Sequence, residues 1–199
     1  MDRLRLVVLL TLVILAGRTV RAQTPAEWPT YPIREAPADL QTAVRRGDLI
    51  IVSLQGAFLS ELRRELGAGG PALAMASCHI DATAAAYRAA REQGVAAGRT
   101  SARLRNPTNA PKPWAAAIVA RYADRPSANV DGFVVDLGDR VGVLRPILEQ
   151  PLCASCHGPE QKLSVRVRVE LANRYPADRA TGFTDGDIRG WFWVEVPRK

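Results

Sequence analysis

The sequence predicts an α+β domain in which hairpins of antiparallel strands carry helices packed on one side. Three observations predict it. Residues 38–66 place Leu40, Val44, Leu49, Val52, Leu59, Leu62 and Leu66 at helical spacing. Residues 132–137 and 140–147 read as two strands around a compact Gly138-Asp139 turn. Trp191 to Val196 is an aromatic and β-branched run that suits a last strand.

The elements follow in order. Residues 1–22 read as an export signal: Arg3 and Arg5 form a basic start, Leu6 to Ala16 is an apolar run, and Val20-Arg21-Ala22 offers a cleavage site before Gln23. That run is short for a stable bilayer span, so membrane contact is expected only if the signal is uncleaved. Residues 23–37, with Pro25, Pro29, Pro32 and Pro37, form an extended Pro-rich leader, and residues 38–199 form the domain. The first helix stops at Gly67 and Gly69-Gly70. Pro71 opens a second helix that runs to Cys78, and a third over residues 82–93 ends at Gly94. Residues 95–102 suit a strand, and residues 105–111 have turn chemistry in which Asn106 and Asn109 bond the backbone. Pro113 leads a helix over residues 114–122, with Trp114 expected in the core. Residues 165–175 are a mixed segment, and in the last strand one face of Trp191-Phe192-Trp193 is expected to pack inward.

Composition narrows the function. With 199 residues, 47% hydrophobic and 24% charged, the chain fits one domain with a normal core. The net charge of +7 is dispersed, aromatics are 6%, and no dense Lys/Arg block occurs, which excludes a nucleic-acid partner. The cysteines number three, an odd count for an exported chain.

Two of them belong to Cys153-Ala-Ser-Cys156-His157, the pattern of c-type haem attachment. A tight turn puts both thiols on one side, where they add to the two vinyl groups along one porphyrin edge. His157 is then forced under the ring as the proximal axial ligand. Half of a zinc site is the first rival, but no second Cys/His pair has zinc spacing. A thioredoxin-like redox pair is the second, but no strand precedes the motif in a βαβ setting. The expected cofactor is one covalent haem c.

The distal ligand is less constrained. The histidines number two, so His79 is the common choice by chemistry. Cys78 is the odd cysteine in an apolar helical setting, and Met75 lies three residues earlier on the same helical face. Lys112 and Lys162 are remote candidates. Spacing alone leaves Cys78 and His79 even.

Four stretches resemble a known family: the bacterial c-type haem family with a PAS-like fold and His/Cys axial ligation, first catalogued as a domain of unknown function. They are residues 72–78, ending at Cys78; Gly98-Arg99-Thr100-Ser101 with residues 105–111 and Trp114; Arg145-Pro146-Ile147 leading into residues 153–158; and residues 175–183 with 186–190. The resemblance spans about residues 40–196. It implies a PAS-like antiparallel sheet with N-terminal helices packed on it, His157 as proximal ligand and Cys78 as distal ligand. His79 stays as the alternative distal ligand.

A thiolate ligand favours Fe(III) and a low potential, and needs donors or cations nearby. Arg99 and Arg105 are candidates for that role or for pairing the haem propionates. The resulting expectation is a periplasmic haem-based redox or small-ligand sensing module. The alternative is a low-potential periplasmic electron carrier. No distal acid/base pair is found and both axial sites are expected to be filled, so no enzyme activity is expected. The expected partners are the cytochrome c maturation machinery and a redox or signalling protein.

Overall fold

The computed structural model describes residues 28–77, 84–123 and 130–199. The export signal, the first five residues of the leader (23–27), and both Cys78 and His79 lie outside the described residues.

The described chain is α+β, as expected. Five strands, β1 (Thr30–Pro32), β2 (Ala96–Thr100), β3 (Phe133–Asp136), β4 (Arg140–Leu148) and β5 (Ile188–Pro197), form one antiparallel sheet in the order β1-β3-β4-β5-β2. The helices are α1 (Gln41–Ser77), α2 (Ala84–Glu92), α3 (Pro113–Arg121), α4 (Ala154–His157) and α5 (Val165–Arg174). Pairing begins inside the Pro-rich segment: β1 sits on the sheet edge, where Pro32 removes no interior ladder bond. No helix among the described residues is long and apolar enough to cross a membrane.

Helices cover both faces of the sheet, not one. On the first face, Leu40, Ala43, Val44, Ile51 and Leu54 of the α1 region pack on Val134, Val143, Phe192 and Val194. Gly47 is where that helix comes closest, because a Cβ there would lie 3.0 Å from Val194. On the second face, Trp114, Ala115, Ile118 and Val119 of α3 cover Phe133, Val135, Leu144, Trp191 and Trp193. Trp114 is therefore core, and its indole N–H donates to Glu195 at 2.8 Å. Phe192 and its two Trp neighbours face opposite ways, and all three are buried. The physical reason is position: β5 lies between β4 and β2, with a helix on each side.

The apolar stripe of α1 also differs from the expected one. Leu49 and Val52 are 73% and 65% exposed, while Ala43, Gly47, Ile51 and Leu54 face the sheet. The stripe then continues past the sheet as Phe58, Leu62 and Leu66, which line a cavity. The helix breaks at Gly69 and Gly70. Gly70 has φ of 75°, a left-handed conformation that glycine adopts freely, and Pro71 opens the second arm. Residues 165–175, expected as a mixed segment, form helix α5. The Ser164 side chain accepts from the Val167 N–H at its start, and Val167 and Leu171 bury one stripe.

Candidate functional site

The Cys153 motif is a single helical turn beyond β4. Cys156 N–H and His157 N–H both donate to the Cys153 carbonyl, at 3.0 and 2.9 Å, which winds the segment tightly. Cys153 is half-buried and Cys156 is buried, and both line a cavity of about 460 Å³ together with His157. That volume falls within the range of cofactor pockets. The facing wall is Phe58, Leu62 and Leu66 from the first arm of α1 and Ala74 and Met75 from the second. Met75 is 4% exposed and packs with Cys156, Leu163, Val167 and Leu171.

His157 is held from behind. Its Nδ1–H donates to the Ala180 carbonyl at 2.7 Å, which leaves Nε2 as the acceptor nitrogen, with Arg189 Nη1 at 3.4 Å. Burial, reinforced by the Arg189 and Arg105 charges, holds the imidazole pKa well below its usual value. The ring is thus neutral at physiological pH, as a metal ligand must be. Phe183 N–H donates to His157 O at 3.0 Å, and Gly182 N–H to Gly158 O at 2.8 Å. These bonds lay the 178–183 loop along the motif. Burial pushes the Cys156 thiol up, so it stays protonated at neutral pH.

Four of the five arginines that line the cavity, all but Arg91, sort into two kinds. Arg105 is a hub: it donates to both carboxylate oxygens of Asp178 at 3.2 Å, to Cys156 O at 2.6 Å and to Ala180 O at 3.3 Å. Arg189 pairs with Glu149 at 3.1 Å, and its Nη1 lies 3.4 Å from His157 Nε2. It gets there through a β-bulge, because Ile147 pairs Gly190 while Leu148 pairs Ile188. Glu149 is 1% exposed, and burial outweighs the Arg189 charge to push its carboxyl up to about 7. Burial likewise lowers the Arg189 guanidinium. The second kind is held by aromatic rings. Arg99 lies 4.3 Å over Phe58 and Arg103 lies 3.9 Å over Phe183, and neither has a carboxylate partner among the described residues. Between them Thr100 Oγ1 is buried on the cavity wall with no hydrogen-bond partner among the described residues.

This donor set fits a c-type haem. Two thiols and an imidazole nitrogen meet at one cavity, with apolar side chains for a macrocycle and, in Arg99 and Arg103, guanidinium groups that have no carboxylate partner among the described residues. Of the residues singled out in sequence, Cys153, Cys156, His157, Arg99, Arg105 and Met75 are brought together here. Lys112 is elsewhere, stacked 4.8 Å from Trp193, and Lys162 lies in a short turn before α5. Glu149, Asp178, Ala180, Arg103 and Arg189 were not singled out for a role. Asp178, Ala180 and Arg189 fall inside the motif stretches, but their roles depend on partners distant in sequence.

Three comparisons bear on this site. A family model described as Tll0287-like matches residues 12–197. Among solved structures, the cyanobacterial heme-protein Tll0287 aligns with 24% identity and a TM-score of 0.55, covering 82% of this chain and 98% of its own. No curated protein matches.

Proposed function

The chain belongs to the Tll0287-like family, and on that premise we propose that it is an exported protein with one covalent haem c, working as a redox or small-ligand sensing module. The observation that carries this reading is the convergence of Cys153, Cys156 and the neutral, back-bonded His157 on one apolar-walled cavity. The solved relative, a cyanobacterial heme-protein, supports the same cofactor. The haem would supply an iron that changes oxidation state and exchanges ligands. Cys153 and Cys156 would hold it through thioether bonds. His157 would present Nε2, with Ala180 fixing its tautomer and orientation. Arg99 and Arg103 would take the propionates, since their guanidinium groups have no carboxylate partner among the described residues.

The distal ligand is Cys78 in this reading, with His79 as the alternative. Cys78 is three residues on from Met75, which already lines the cavity from the arm beyond the Gly69-Gly70 break. A thiolate ligand from a segment distant in sequence from the Cys153 motif suits a site that releases it to admit a gas. The second reading, a low-potential periplasmic electron carrier, is favoured by the half-buried Cys153 and the 38% exposed Leu152, which leave the attachment edge near the surface.

Absorption and EPR spectra of protein matured in a cytochrome-c-assembly host test the proposal. The expected result is a low-spin ferric signal with thiolate character that Cys78→Ser removes and His79→Ala leaves. The reduced protein is expected to bind CO. A reduced protein that stays six-coordinate under CO selects the carrier, and a thiolate signal lost only with His79→Ala overturns the ligand assignment.

A further inference from the structure

The Ala180 carbonyl that accepts the His157 Nδ1–H belongs to a loop with no regular structure. A carbonyl on such a loop orients an imidazole only if the loop is itself held. Two kinds of contact hold it. Backbone bonds run from Phe183 and Gly182 to the motif and from Arg179 N–H to Leu104 O, and side-chain bonds come from Arg103 to Arg179 O and from Arg105. The Arg105 Nη2 group donates at once toward Cys156 O, Ala180 O and Asp178 Oδ2, while Nε takes Asp178 Oδ1. Asp178 Oδ1 also accepts from Ala180 N–H at 2.9 Å. One guanidinium therefore ties the second attachment cysteine, the acceptor of the proximal histidine, and the carboxylate that anchors that acceptor. The side chains of the pair are 14% and 9% exposed, so solvent competes weakly for these bonds.

We propose that Arg105 is the positioning residue for the proximal ligand: its fork fixes the Ala180 carbonyl against His157 and so sets the ligand's orientation and donor strength. This inference rests on the haem reading above. A firmly held Nδ1–H···O=C bond makes the imidazole a stronger donor and favours Fe(III). Loosening it weakens donation and raises the potential. Lysine keeps the charge but is a point donor that cannot reproduce a planar fork.

The test measures ferric EPR and midpoint potential on holoprotein of wild type, Arg105→Lys, Arg105→Gln and Asp178→Asn. Arg105→Lys is expected to broaden or split the low-spin signal and raise the potential, with charge unchanged. Asp178→Asn is expected to broaden the low-spin signal more weakly, because it releases the anchor and keeps the arginine's carbonyl bonds; losing its carboxylate charge raises the potential in any case, so this variant is read by EPR, and it is the one read if neither Arg105 variant accumulates. Arg105→Gln also removes a buried positive charge, which pulls the potential down, so the lysine variant carries the sign. If Arg105→Lys matches wild type in signal and potential while Arg105→Gln falls, Arg105 acts by charge alone and the proposal fails. If Asp178→Asn, read alone, matches wild type, it fails too. A wild type without covalent haem defeats the haem reading instead.

Discussion

On the attachment side of the cavity, His157 is tied through its ring and its carbonyl to residues 180 and 183, and Arg105 clamps the whole at Cys156 O. On the side of the first α1 arm, Phe58, Leu62 and Leu66 meet the cavity as bare apolar groups, while Met75 of the second arm packs against Cys156 itself. Among the described residues, the polar link from that helix to the motif is a weak 4.0 Å contact between Cys156 Sγ and Pro71 O. Directional bonds fix a geometry, whereas apolar contact fixes only a volume. One wall is thus built to hold a ligand in place, and the other to yield. The strongest test of that contrast is the pigment. The double variant Cys153→Ser/Cys156→Ser, matured with the cytochrome c assembly machinery, is expected to lose all haem to acidified acetone. Leu62→Ala on the facing wall is expected to keep it. Retention in the first or loss in the second breaks the comparison.

The two walls also differ in how far the sequence reveals them. The motif is legible because its chemistry is local: five consecutive residues specify the attachment. The facing wall is legible as a helix, but its inward stripe was misplaced at Leu49 and Val52, since periodicity finds a helix more readily than the face it buries. Helix α5 was obscured by the alternation Val165-Arg166-Val167-Arg168-Val169, which mimics a strand. Val165 and Val169 are in fact 66% and 51% exposed, and burial runs through Val167 and Leu171. How the site is held is not legible, although Arg105 is a candidate by sequence and Asp178, Ala180 and Arg189 fall inside motif stretches. Ala180 acts through its backbone carbonyl, which no side chain advertises. Arg105 and Asp178 are 73 residues apart. Arg189 is aimed by a bulge, and bulges depend on strand register.

The attachment side should also carry a pH dependence that the facing wall lacks. Glu149 is buried beside Arg189, and its carboxyl is pushed from 4.5 up to about 7. In the unfolded chain it ionises near the ordinary value, so between these limits the native state binds the extra proton. Stability is then full below about pH 4.5, falls as the pH rises, and levels off above about 7. At roughly 1.4 kcal/mol for each pH unit, the loss is about 3 kcal/mol. Urea unfolding of the holoprotein at pH 5 and pH 8, wild type beside Glu149→Gln, isolates it, because the buried neutral His157 contributes a slope of opposite sign below about pH 6.5 in both. Glu149→Gln is expected to flatten the difference, and an unchanged slope places the titrating group elsewhere.

The smallest expected effect probes a contact between the sheet and the apolar wall. Phe58 belongs to α1 and Arg99 to β2, and the guanidinium lies 4.3 Å from the ring centroid. Cation–π contacts of this kind contribute about 0.5–1 kcal/mol at solvent-accessible sites. A double-mutant cycle with Phe58→Leu and Arg99→Gln isolates that pair from the volume lost at the ring and the charge lost at the arginine. A coupling of about 0.5–1 kcal/mol in urea unfolding means that the yielding wall is tethered to the sheet at this point. A coupling of zero means that apolar contact alone seats it. The single variants sharpen the result further. Arg99→Gln that costs more than the coupling reports another partner for the guanidinium in the holoprotein, as a haem carboxylate would be. An Arg99→Gln cost equal to the coupling leaves Phe58 as the whole of its role and moves the carboxylate contact to Arg103.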